Sequence, residues 1–312
     1  MRAGQIVLGL AMGAGILFLA ALLMGVGRED LVGAMRGAPI WIAPASALAL
    51  FLLFALGALR WNCSMQPVLH NTFWQGYWAM LVSYPFNSIL PAKGGDLIRV
   101  NLLSVRTGVS RATILGAEIM DKGMDLCGPL PVIALLLIFG DVPSWVMSGI
   151  ALIAGVLAAL IAFMVLMRKR APSQTSWLGR MLGRLREAYV GRSARSLLIT
   201  ALVFAPLPWL GESAAIYVVG NGFGIALTAV QAFFVLVAIK VGMAVPTPGG
   251  IGSVEAAGAA ALVFFGAQPA QAFALLLIYR TSQLAAGSLI GAVSLSAPMG
   301  FQTSTVAPAT PK

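Results

Sequence analysis

The sequence predicts an all-α fold, a polytopic membrane helix bundle of about 7–8 spans plus one or two re-entrant segments. Three observations carry this expectation. The chain is 59% hydrophobic and 10% charged, whereas an ordinary soluble domain carries about 25% charged residues. Several uninterrupted apolar runs reach the ~20 residues that a helix needs to cross the hydrocarbon. Two Pro/Gly breaks recur half a chain apart, which suggests a two-fold internal repeat. No stretch is long and polar enough to form a separate soluble domain. The expected organisation is therefore one membrane domain over residues 1–298 and a polar, disordered tail over 299–312.

The elements follow in order. Residues 4–26 are longer than a signal-peptide core and lack a following small-x-small cleavage site, so they read as a retained first span. Residues 40–59 form a second span, closed by Arg60 and Trp61 at an interface. Residues 73–90 hold Trp74, Tyr77, Trp78, Ser83, Tyr84, Pro85 and Asn87, and belong at the interface or in the protein interior. Residues 112–139 carry four ionisable groups and are broken by Pro129 and Pro131; 145–167 is an uninterrupted span. After a basic loop come 197–219 with Pro206, Pro208 and Glu212, then 225–245 with Lys240. Residues 254–265 are too short to cross alone, and 270–294 crosses with Arg280 inside it.

The net charge of +10 does not indicate nucleic acid as a partner. Eight of the 20 Lys and Arg lie between Arg168 and Arg195, opposed only by Glu187. That concentration fits the positive-inside rule and places the 168–195 loop in the cytoplasm of a multi-pass protein of the inner (cytoplasmic) membrane. Anionic lipid headgroups are compatible partners of the same loop. Lys93, Arg99, Arg106 and Arg111 then fall on the same side. The two cysteines, Cys63 and Cys127, and the single histidine, His70, have no metal or redox spacing. No cofactor is expected, and no G-x-x-x-x-G-K-[ST] phosphate loop occurs.

The repeat joins Pro91, Lys93, Gly94, Gly95 and Asp96 to Pro246, Pro248, Gly249, Gly250 and Gly252, with Glu255 as the second acid. The two prolines stand 155 positions apart, giving candidate halves 1–150 and 196–298 joined by the basic loop. Proline and paired glycines break helices. At membrane depth such backbone survives only where protein buries it or where it lines a watery cavity. Two ordinary loops sharing turn residues would read the same way.

Charges complete the candidate site. Glu118, Asp121, Lys122 and Asp125 stand at i, i+3, i+4 and i+7 and share one helical face. Glu118 to Lys122 is the favourable pairing direction. Glu118 suits a solvated cytoplasmic helix end, while Asp125, beside Pro129, suits it less well. Glu212, Lys240, Glu255 and Arg280 suit mutual pairing in a bundle interior. A polar path for a headgroup is the alternative, with Arg99, Lys240 and Arg280 as phosphate partners.

These motifs resemble the flippase-like membrane domain of lysylphosphatidylglycerol synthetase/flippase proteins. Pro91-Ala92-Lys93-Gly94-Gly95-Asp96-Leu97-Ile98-Arg99 resembles its first motif, with an extra glycine and Asp in place of Glu. Asp121-Lys122-Gly123-Met124-Asp125 resembles its acidic–basic pair followed by Asp. The strongest match runs from Pro246 to Glu255 and is followed at the family's distance by Arg280. The resemblance covers most of 1–298. It implies re-entrant helices and movement of aminoacylated lipid between leaflets, without the soluble synthase domain; stand-alone members also resemble proteins linked to hopanoid and isoprenoid lipids. The expected function is a lipid flippase for a phospholipid, aminoacyl-lipid or isoprenoid-type lipid, and not an enzyme. The alternatives are an integral membrane enzyme using Asp121 or Asp125 as base, and a non-catalytic scaffold that partners lipid-biosynthesis enzymes.

Overall fold

A computed structural model describes residues 3–66, 68–69, 72–90, 94–130, 133, 155, 179, 183, 199–245 and 247–296. Apart from the single residues 155, 179 and 183, the expected span 145–167 and the basic loop 168–195 lie outside the described residues, as do the tail 299–312 and the site candidates Pro91, Lys93 and Pro246. Ten α-helices run through the described part: α1 (Ala3–Leu23), α2 (Arg28–Arg36), α3 (Ile42–Met65), α4 (Phe73–Ile89), α5 (Gly95–Thr107), α6 (Arg111–Cys127), α7 (Pro206–Gly222), α8 (Ala229–Gly242), α9 (Ser253–Phe264) and α10 (Pro269–Leu295). Three helical stretches are long and apolar enough to cross a bilayer: Ile42–Met65, Thr200–Gly222 and Pro269–Leu295. The bent pair α1–α2, which turns through 97°, would make a fourth.

Local chemistry sets the boundaries. Asp30 accepts from the Gly27 N–H and caps α2. Thr228 and Gln231 form a reciprocal capping box at the start of α8. Gly108 (φ +71) ends α5, and the Ser110 hydroxyl, accepting from the Thr113 N–H, starts α6. Before α7 the chain makes a π turn over Thr200–Phe204, closed by the Ala205 N–H on the Thr200 carbonyl. Pro206, with no N–H and a ring that clashes with the preceding turn, explains why the ladder loosens there.

The chain forms two compact units. The first draws on Met1–Ala55, Met80–Ile98 and Trp209–Ala297. In it, α8 and α9 pack side by side, and α9 packs on α10. The span expected over 225–245 is a shorter helix: α8 has 14 residues, about 21 Å at 1.5 Å per residue against a ~30 Å hydrocarbon core. Close packing uses small residues. A Cβ at Gly258 would lie 2.8 Å from Leu276 and 3.0 Å from Ile239, and one at Gly291 2.3 Å from the Leu81 carbonyl oxygen. Gly287 and Gly291 form a G-x-x-x-G face on α10 that receives Tyr84 and Pro85 of α4. Phe18, Leu23, Leu289 and Val293 remain exposed, as side chains that face lipid should.

The second unit contains the described residues of Leu56–Ala79 and Arg99–Pro208. Its interior is built on Trp61, Met65, Leu103, Ile114 and Met120, all essentially inaccessible. Trp78 is also buried, with the Arg106 guanidinium 4.4 Å from its ring centroid. The aromatic stretch after residue 73 is therefore interior at Trp78 and exposed at Trp74.

Candidate functional site

In the first unit the second Pro/Gly motif is a backbone break held by side chains. Pro248–Gly250 form one 3₁₀ turn, and Gly249, Gly250 and Gly252 all have positive φ (+60, +72 and +85). Gly249 needs both that conformation and the absence of a side chain, since a Cβ there would come 2.7 Å from the Ser88 carbonyl oxygen. A Cβ at Gly252 would similarly strike the Gly13 carbonyl of α1. The break is thus wedged between the end of α4 and α1.

Charged groups tie this turn down. Glu255 accepts the Gly252 N–H at 2.7 Å, capping α9 with its own carboxylate. Arg280 donates to the Gly249 carbonyl at 2.9 Å, and its Nε lies 3.8 Å from Glu255. Ser253 donates to the Gly250 carbonyl and adjoins Thr247. Lys240 pairs with Glu212 at 2.5 Å and stands over the Trp209 ring. The four charges that the sequence left unassigned therefore form two pairs, Glu212–Lys240 and Glu255–Arg280. Arg280 lies eleven residues inside α10, about 16 Å from the helix start, where an uncompensated charge costs about 2.5–3.5 kcal/mol on insertion scales.

Gly94 lies just before α5, and Asp96 lies in the first turn of that helix, accepting from Asn87 of α4 at 3.1 Å. A Cβ at Gly95 would lie 2.3 Å from the Ser83 carbonyl, so the start of α5 folds back on α4. Gly242 against the Ser253 carbonyl does the same for α8 and α9. Through Gly249 and Ser88, the second break touches the helix end that precedes the first.

The second unit holds a separate network that corrects the sequence reading twice. Arg60, expected at an interface, is 5% exposed and grips both oxygens of Asp121 at 3.0 and 3.1 Å, with Asp125 on its other side. Glu118, expected to be solvated, is 3% exposed and accepts from Trp61 Nε1 at 2.9 Å and from Arg99 at 2.9 and 2.7 Å. The reason is the same for both. A helix buried on the acidic face must neutralise it from neighbouring helices, and α3 and α5 supply one arginine each. Glu118 thus bonds to Arg99 of α5 and Trp61 of α3, and Lys122 on its own helix is exposed. Asp121 is fully buried, and the side chain of Asp125 is 35% exposed. Arg99, proposed from sequence as a phosphate partner, is 2% exposed and fork-bonded to Glu118.

Sequence reasoning missed Arg60 as the partner of Asp121 and Asp125, since nothing in residue order pairs α3 with α6. Among the described residues no group of His, Cys, Asp and Glu is placed to hold a metal ion.

Apolar helices of spanning length, with charges paired inside the protein and a broken backbone among them, define a polytopic integral membrane protein. The chain belongs to the lysylphosphatidylglycerol synthase TM region family, whose model matches residues 6–291. It is also similar to a UPF0104 membrane protein of Methanothermobacter thermautotrophicus (strain Delta H), 25% identical over 302 residues that cover 85% of this chain and 88% of that protein. No solved structure matches.

Proposed function

We propose that this protein moves a polar-headed membrane lipid between leaflets, the headgroup passing beside the broken helices while the hydrocarbon chains stay in the bilayer. The observation that carries the reading is the Gly249–Gly252 break fixed by Glu255 and Arg280 within apolar helices. Irregular backbone at membrane depth belongs beside a protein-lined polar path, and in transporters such breaks mark the substrate site. Family membership supports this reading, because the family is associated with flipping aminoacyl-phospholipids. In the proposed topology, α8–break–α9 and α4–break–α5 are re-entrant hairpins of a two-fold repeat. They sit in a bundle of about 7–8 spans whose basic loop 168–195 faces the cytoplasm.

Reconstitution tests it. Purified protein in liposomes with headgroup-labelled phosphatidylglycerol, lysyl-phosphatidylglycerol or a polyprenyl phosphate is probed with a membrane-impermeant quencher. Wild-type protein should accelerate exchange for one of these, and Glu255→Gln and Arg280→Lys should each slow it at least about tenfold, the cost of one charge-assisted contact. No acceleration for any headgroup, with folded protein, would shift the reading to a scaffold in lipid biosynthesis.

A further inference from the structure

The pairs Glu255–Arg280 and Glu212–Lys240 differ in their chemistry. A guanidinium such as that of Arg280 stays charged, whereas a lysine ammonium gives up and regains a proton as its surroundings change. They differ in access too. The Glu255 and Arg280 side chains are 5% and 10% exposed, while those of Glu212 and Lys240 are 15% and 33% exposed. Yet Glu212 does not lie at a span end. It stands twelve residues after Thr200 and ten before Gly222 in a 23-residue span, about 18 and 15 Å along the axis. An ammonium paired there does not face hydrocarbon, so the exposed third of Lys240 opens on a water-accessible surface.

Position ties this pair to the broken backbone. Lys240 stands in the last turn of α8, the helix that leads into the Gly249–Gly252 break, and bridges that turn to the middle of α7. The helix dipole favours a cation there. The Trp209 ring centroid, 5.6 Å from the Lys240 nitrogen, gives the ammonium a second partner. Among the described residues, the charged and titratable groups around Glu212 are Lys240 of α8, Tyr84 of α4, and Tyr279 and Arg280 of α10, with Glu255 of α9 against Arg280. Both phenol hydroxyls are buried without a hydrogen-bond partner and lie in the field of the Glu212 carboxylate. A phenol donates and accepts, so these two suit a protonated carboxyl that has left Lys240. A proton is the ligand this arrangement fits. Among the described residues no other acid joins Glu212 in a ligand set for a metal cation, and such cations need several oxygen ligands.

We infer that Glu212, with Lys240 as its counter-ion, is a proton-binding site at mid-span that couples a proton gradient to lipid movement. A proton from water adds to a Glu212 carboxylate oxygen, the ion pair opens, and Lys240 keeps its own proton over the Trp209 ring. Loss of the added proton to the opposite aqueous side re-forms the pair, so one proton enters and one leaves in each cycle. Opening frees the last turn of α8 beside the break. This rests on the translocase reading and names what drives it.

The test uses the full chain in liposomes that enclose a pH-sensitive dye, with potassium and valinomycin clamping the membrane potential. Headgroup-labelled phosphatidylglycerol, lysyl-phosphatidylglycerol and a polyprenyl phosphate serve as separate probes. A proton gradient of about tenfold should shift the steady-state distribution of the exchanging lipid between leaflets by up to about tenfold, the limit for one proton per lipid. Reversing the gradient should reverse the shift, and a protonophore should abolish it. Glu212→Gln, a neutral isostere, should give no shift, whereas Glu212→Asp keeps a titratable carboxyl and should retain a shift of at least about threefold. Should Glu212→Gln fold poorly, Lys240→Met provides a second variant: without its counter-ion the buried carboxyl stays protonated, and the shift should again be lost. Two results would overturn the inference: a wild-type distribution that ignores the gradient, as a passive scramblase gives, or a Glu212→Gln protein that responds like wild type, which would make the pair purely structural. The dye records proton flux separately from lipid. Glu212-dependent proton flux without movement of any lipid would refute translocation and leave the proton site standing; lipid exchange without proton flux would refute the proton site and leave translocation standing.

Discussion

Replacing Arg60 by leucine removes the cation that holds two acids of α6 in the second unit. Asp121 is 0% exposed and loses both of its guanidinium bonds at 3.0 and 3.1 Å, and Asp125 loses its contact too. Breaking a buried ion pair from one side costs about 3–5 kcal/mol, because the surviving charge is left desolvated. At roughly 2–4 °C per kcal/mol, the melting temperature in detergent should fall by about 6–20 °C. Removing both partners should cost less, since two apolar side chains replace the pair without leaving Asp121 behind. The Arg60→Leu/Asp121→Leu double variant is therefore expected to regain at least half of the loss shown by Arg60→Leu. Thermal unfolding of the Arg60→Leu, Asp121→Leu and double variants, followed by tryptophan fluorescence, measures all three. Single variants within about 1 °C of wild type, or a double variant whose loss equals the sum of the singles, would refute the argument that Arg60 is there to neutralise a buried acidic face.

Two further substitutions test other contacts. Trp61→Phe removes the indole N–H that Glu118 accepts at 2.9 Å but leaves the Arg99 fork intact, so a loss of about 1–2 kcal/mol is expected, read as a fall of a few degrees in the same melt; no change would mean Arg99 alone satisfies Glu118. Gly249→Ala forces an L side chain into φ +60 and sets its Cβ 2.7 Å from the Ser88 carbonyl. The backbone term alone is about 1–2 kcal/mol, and leaflet exchange should be lost along with thermal stability; wild-type behaviour in both assays would dissociate the break from function.

Much of the fold and part of the site were legible from residue order. Apolar runs located α3, α7 and α10, because length and hydrophobicity are local properties that a bilayer reads directly. The Pro/Gly motifs predicted breaks, and three positive-φ glycines stand in the second one. The reading placed Arg60 at a membrane interface without a partner, and it failed at Glu118, where position near a span end suggested solvent. Residue order also gave no reason to expect Gly287 and Gly291 to admit α4, or Tyr84 to lie against α10.

What the sequence by itself determined is that this chain lives in a membrane, that its backbone breaks at the Pro248–Gly252 motif, and that a few charges sit where lipid cannot solvate them. Backbone propensity and hydropathy are short-range, so a single chain displays them. Only the tertiary structure decided which charge meets which: Arg60 with Asp121, Arg99 with Glu118, Lys240 with Glu212, Arg280 with Glu255 and the Gly249 carbonyl. It also decided which buried donors were left over. Those pairings follow from helix rotation and packing, where a shift of one residue turns a side chain by about 100° and exchanges a partner for lipid.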